Sequence, residues 1–113
     1  MMKNNSYARV AYKILQYLNA CYEHGEFPNP DNINATRLGI TFQQFYQTLK
    51  MLTEDGNIKG VIFNDTIPPD QSTLNHPRDW RITSKGIEYL EENSLMKKAY
   101  KVVKEARDWL PLH

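Results

Sequence analysis

The chain has 113 residues, 41% of them hydrophobic and 12% aromatic, and 14 basic against 13 acidic side chains leave a formal net charge of +1. That length fits one domain with its own core, and the aromatic content excludes a disordered chain, which lacks the apolar surface to order itself. The near-neutral balance argues against strong sequence-independent binding to a polyanion, which needs many Lys and Arg to displace counterions, but it leaves room for a local basic patch.

Cys21 is the sole cysteine, so no internal disulfide forms. The scattered His24, His76 and His113 make no zinc ligand set, and no metal or other cofactor is expected. Met1–Ala20 carries Lys3, Arg9 and Lys13 without an unbroken apolar run, so no signal peptide is expected. No stretch approaches the ~20 apolar residues of a membrane span, and a cytoplasmic protein is expected.

The first helix is expected over Ser6–Glu23. Tyr7, Val10, Ala11, Ile14, Leu15, Leu18, Cys21 and Tyr22 recur at three- and four-residue steps, with Arg9, Lys13, Gln16, Asn19 and Glu23 on the other side. Ser6 caps its start and Gly25 stops it. After the loop Phe27–Pro30, a short helix is expected over Asp31–Leu38, capped by Asp31 or Asn32, anchored by Ile33 and Leu38, and ended by Gly39. A third helix follows over Thr41–Asp55. Thr41 and Gln44 have capping-box spacing, and Phe42, Phe45, Tyr46, Leu49 and Leu52 form its core stripe.

Ile58–Phe63 alternates like a half-buried strand. Asn64–Pro77, with three prolines and several turn formers, reads as a long loop. Arg78–Thr83 is the returning strand, with Trp80 and Ile82 on one face and Arg81 on the other. Thr83 or Ser84 then caps a helix over Lys85–Glu92, Asn93-Ser94 breaks it, and Leu95–Leu110 forms a last helix with Leu95, Ala99, Val102, Val103, Ala106 and Trp109 or Leu110 inward. Three helices, a two-stranded wing and two C-terminal helices make an α+β, mostly helical winged helix-turn-helix. One such domain is expected over 1–113, with its core at 6–93 and an amphipathic C-terminal helix at 94–110.

Several stretches carry a family resemblance: Tyr12-Lys13-Ile14-Leu15; Gly39-Ile40-Thr41 with Gln44-Phe45; Gly56-Asn57-Ile58-Lys59-Gly60-Val61; and, most specific, the run from Ile82-Thr83-Ser84-Lys85-Gly86 to Asn93-Ser94. Ala99-Tyr100-Lys101 with Lys104-Glu105 and Asp108-Trp109 completes the set. In these the chain resembles the YjcQ-like proteins, small winged-helix domains of firmicute bacteria and their prophages. The resemblance implies a DNA-binding protein of phage-like origin, a small transcription regulator, and no catalytic residues to carry over. The segment 64–77 is longer than the family's wing.

The expected recognition helix Thr41–Asp55 turns Gln43, Gln44, Gln47, Lys50, Met51 and Glu54 outward. Glutamine pairs with adenine, and lysine with guanine or phosphate. Arg37, Lys59 and Arg81, with Lys97, Lys101 and Lys104 of the basic last helix, are the expected phosphate contacts on double-stranded DNA. The same residues also read as ordinary solvated faces, and the apolar side of the last helix offers a homodimer surface. A protein-interaction module on the same scaffold is therefore the alternative, favoured by charge balance and by exposure expected of Tyr12 and Tyr17. With no Ser–His–acid grouping, no glycine-rich phosphate loop and Cys21 on a buried stripe, no enzyme is expected.

Overall fold

Tyr7–His24 form helix α1 in the computed structural model, which describes residues 6–93. Ser6 Oγ accepts from the Arg9 amide at 3.3 Å, and Gly25, at φ 68°, ends the helix with its amide turned back to the Cys21 and Tyr22 carbonyls. Both caps were expected. The stripe Val10, Ala11, Ile14, Leu15, Leu18 and Cys21 is buried, as expected, but the burial goes further than the stripe. Val10 to Leu15 are all buried, Lys13 and Tyr12 among them, followed by Tyr17, Leu18 and Cys21, whereas Tyr22 is exposed. α1 packs against the helices at Phe42–Glu54 and Ser84–Glu92 and the strand at Arg81–Ile82, so its middle has no wet face. Residue spacing tells which side of a helix is apolar, and neighbours on several sides can bury the rest.

The Tyr17 hydroxyl accepts from the Asn29 amide at 2.8 Å and ties the following loop to α1. That loop delays the second helix. The Asn29 side chain accepts from Asp31 N, and its carbonyl accepts from Asn32 N and Ile33 N. The result is a turn, and Asn34 beyond it is extended (φ −159°, ψ 167°), so no helix runs on from Asp31. α2 is therefore only Ala35–Leu38, capped by Asn34 rather than Asp31 or Asn32, with Asn34 Oδ1 accepting from Arg37 N at 2.7 Å.

Gly39, at φ 75°, ends α2, and Thr41 Oγ1 accepts from Gln44 N at 3.1 Å to start α3 over Phe42–Glu54. Phe45, Tyr46, Leu49 and Leu52 are buried as expected, but Phe42 at the first turn is 44% exposed, its ring lying beside those of Phe45 and Tyr46.

A β ribbon follows, and it differs from a plain hairpin with a long loop. Strands β1 (Ile58–Lys59) and β4 (Arg81–Ile82) pair antiparallel, Ile58 opposite Ile82 and Lys59 opposite Arg81. A second ladder joins β2 (Phe63–Asn64) to β3 (Thr73–Leu74), which, Phe63 apart, lies in the segment expected to be loop. Between the ladders Gly60 takes φ 87°, and a side chain there would overlap the Asp79 carbonyl, so the strand cannot run on from Ile58 to Phe63. Arg78 and Asp79 lie in a 3₁₀ turn at Pro77–Asp79, outside any strand, and a similar turn at Pro69–Gln71 follows the cis Ile67–Pro68 peptide.

Asn75 holds the two ladders together. Its Oδ1 accepts from Ile62 N (2.8 Å) and from Trp80 Nε1 (2.9 Å), and its Nδ2 donates to the Gly60 carbonyl (2.9 Å). Trp80 is buried beside Phe45 in the core. Finally α4 runs over Ser84–Glu92. Thr83 caps it through Gly86 N and also donates to the Gly56 carbonyl at 2.6 Å, locking α4 to the turn after α3. The structure is thus mostly helical α+β, with four helices among the described residues; the helix expected over 94–110 lies outside them.

Candidate nucleic-acid interface

α2 and α3 meet across Gly39 and Ile40. The Ile40 amide bonds to the Ala35 carbonyl at 3.0 Å, Leu38 is buried, and Ile40 is half-buried against the core. The two ends are fixed together by hydrogen bonds and a shared apolar contact, which holds α3 rigidly to the short helix before it.

On α3, Gln43 and Gln47 are exposed one turn apart, and Gln44 is half-buried. Met51 is 41% exposed. Lys50 is half-buried, and its position is set by the ribbon: Nζ lies 2.8 Å and 3.0 Å from the two carboxylate oxygens of Asp65. The Tyr46 hydroxyl donates to the same carboxylate at 2.6 Å, and the ammonium sits 5.5 Å from the centre of the Tyr46 ring and 5.9 Å from that of Phe63. These contacts explain the electrostatics. Lys50, and then Tyr46, hold the Asp65 carboxyl below the usual carboxylate range, and the bond to Asp65 raises Lys50. Burial, reinforced by Asp65, pushes the Tyr46 phenol up.

A second cationic group lies on the ribbon. Lys59 and Arg81 are direct cross-strand neighbours. Arg81 Nη1 donates to the carbonyls of Arg78 (2.6 Å) and Trp80 (2.8 Å), and its guanidinium lies 5.2 Å from the centre of the Phe27 ring; that of Arg78 lies 5.4 Å from it. Like charges directly opposite one another destabilise an antiparallel pair. Here the ring and two carbonyls hold one of them in place, and the arrangement concentrates positive charge.

Of the expected contacts, the structure therefore brings Lys59 and Arg81 together, and leaves Gln43, Gln44, Gln47 and Lys50 on α3. No hydrogen bond or ion pair between described residues joins Gln43 or Gln47 to the Lys59–Arg81 rung. Arg37 is exposed on α2. Lys97, Lys101 and Lys104 lie outside the described residues. Asp65, Asn75 and Phe27 had not been singled out as site residues: the first two read as turn formers and the third as a loop residue, and their partners are remote in sequence. Among the described residues no cluster of three or more His, Cys, Asp or Glu side chains could hold a metal, and no helix is long and apolar enough to cross a membrane.

The model of the YjcQ protein family matches residues 12–109. Over 78 residues the chain is 36% identical to the uncharacterized protein YjcQ of Bacillus subtilis (strain 168), covering 69% of this chain and 78% of that protein. No solved structure matches the chain significantly.

Proposed function

The chain belongs to the YjcQ family, and we propose that it is a DNA-binding winged-helix protein, a small phage-derived transcription regulator. The observation that carries this reading is the α2–Gly39–Ile40–α3 unit, whose second helix exposes Gln43 and Gln47 one turn apart. Two glutamines so placed can each offer a donor and an acceptor to adenine edges in a major groove. The ribbon acts as the wing, and the Lys59–Arg81 rung with Arg78 supplies phosphate contacts that set register without reading sequence. Lys50 reaches DNA only by exchanging Asp65 for phosphate.

DNA selection at low salt, followed by a mobility assay on the enriched site, tests the reading. Retention is expected to fall steeply with salt, and Gln43→Ala/Gln47→Ala is expected to weaken the selected site by about 1–3 kcal/mol per lost base contact. Absence of any retention at low salt overturns it.

A protein-interaction module is the second reading. The buried Tyr12 and Tyr17 no longer support it, but the ribbon's Ile62 and Ile67, 65% and 98% exposed, do.

A further inference from the structure

The α1 side chains Tyr12, Gln16, Asn19 and Glu23 fall at four-, three- and four-residue steps and form one wall of a groove of about 350 Å³; Ile87, Leu90 and Glu91 of α4 form the other. Its floor is mixed, with Tyr12, Ile87 and Leu90 as the apolar part beside Gln16 and Asn19, and the rim carries two exposed carboxylates, Glu23 and Glu91. Tyr12 Oη and Gln16 Oε1 are buried in this groove without a hydrogen-bond partner; among the described residues the other such side-chain atom is Thr53 Oγ1, which is not in the groove. Buried polar groups are almost always paired, because an unmade bond leaves their desolvation uncompensated. A partner for this groove must therefore bring apolar side chains for the floor, a donor for Gln16 and positive charge for the rim.

The chain itself carries such a segment immediately after the groove's wall. α4 ends at Glu92, one residue beyond Glu91. Residues 95–110 place Leu95, Ala99, Val102, Val103 and Ala106 at helical spacing, interleaved with Lys97, Lys98, Lys101, Lys104 and Arg107. In helical form these sixteen residues reach about 24 Å, against about 16 Å from Tyr12 to Glu23 along α1. We propose that residues 95–110 fill the α1–α4 groove of their own chain, apolar side down, with lysines beside Glu23 and Glu91. The proposal is independent of DNA binding, and it assigns part of the basic face to an intramolecular contact.

The test is an NMR experiment on the full chain. Cross-peaks are expected between the Tyr12 ring and methyl groups of Leu95, Val102 or Val103 in uniformly labelled protein, and none in an isotope-filtered mixture of labelled and unlabelled chains. No such cross-peaks in either sample, or cross-peaks in the filtered mixture (a second copy's segment in the groove), overturn the proposal. Amide hydrogen exchange provides the second measurement and does not depend on those assignments. Protection over 95–110 is expected to be independent of protein concentration and to drop about three- to tenfold in E23K/E91K, which changes only exposed residues. Exchange at unstructured-peptide rates in the unmodified protein overturns it.

Discussion

Lys50 of α3 and Asp65 of the ribbon form a two-point ion pair, 2.8 Å and 3.0 Å, that Tyr46 completes from the helix side. The pair clamps the ribbon to the helix proposed to read DNA, and it withholds the one cation of that helix. Because Asp65 is lowered, its contribution is full above the ordinary carboxylate pKa near ~4 and is lost as pH falls through its lowered value; because Lys50 is raised, its share is kept until pH rises above its ordinary ~10.4. The pair is therefore closed across the whole neutral range.

Asp65→Asn is expected to tighten DNA binding, since it removes a negative charge beside the interface and frees Lys50 for a phosphate. In anisotropy titrations the slope of log affinity against log salt should steepen by about one. A weaker complex would show that Lys50 does not face the nucleic acid.

Tyr17 should ionise late. Burial, only partly opposed by the Asn29 amide that donates to its hydroxyl, pushes the phenol up to about 12. A raised pKa means that the stabilisation is complete below the ordinary value near ~10 and disappears as pH climbs from there towards 12. Ultraviolet titration of phenolate absorbance should show a late component that is missing in Tyr17→Phe, a variant expected to lose about 1 kcal/mol at neutral pH with the Asn29 bond.

Asn75→Ala should cost about 2–3 kcal/mol, because it leaves the buried Trp80 indole N–H without an acceptor and frees the Gly60–Val61–Ile62 bend. Asn75→Asp, which retains both accepted bonds but sets an acceptor against the Gly60 carbonyl, should cost less than Asn75→Ala. Denaturant midpoints followed by Trp80 fluorescence separate the two.

Gly86→Ala offers a case in which helix propensity predicts the wrong sign. In an open helix alanine would gain about 1 kcal/mol. Here the added methyl would overlap the Asn57 carbonyl and crowd Ile82 Cγ1, so a net loss of about 2 kcal/mol is expected in the same denaturation assay.

The residues that were legible in the sequence act over short range. Ser6, Thr41 and Thr83 cap the helices expected of them, Gly25 and Gly39 stop theirs, and Gln43 and Gln47 face solvent as their spacing requires. The second helix starts late because Asn29 forms a turn and Asn34 is extended, a choice that composition does not decide. Tyr12, Lys13 and Tyr17 were misplaced for another reason: their burial depends on how many elements surround α1, which is a property of the whole fold. Within the candidate site, Asp65 lies fifteen positions from Lys50, and Asn75 lies fifteen from Gly60. Such partners have no local pattern to mark them.

The interrupted ribbon gives a foreign strand little to pair with. Each of its ladders is two residues long, and they are separated by the Gly60 bend, whose Ile62 amide is taken by a side chain. A foreign strand seeking free amides and carbonyls along either margin would meet a ledge two residues long and then a change of direction. Cross-β growth needs a longer, straighter template. A protein that carries Ile62 and Ile67 in the open on this ribbon is thereby guarded against self-association through its backbone, whatever its side chains attract.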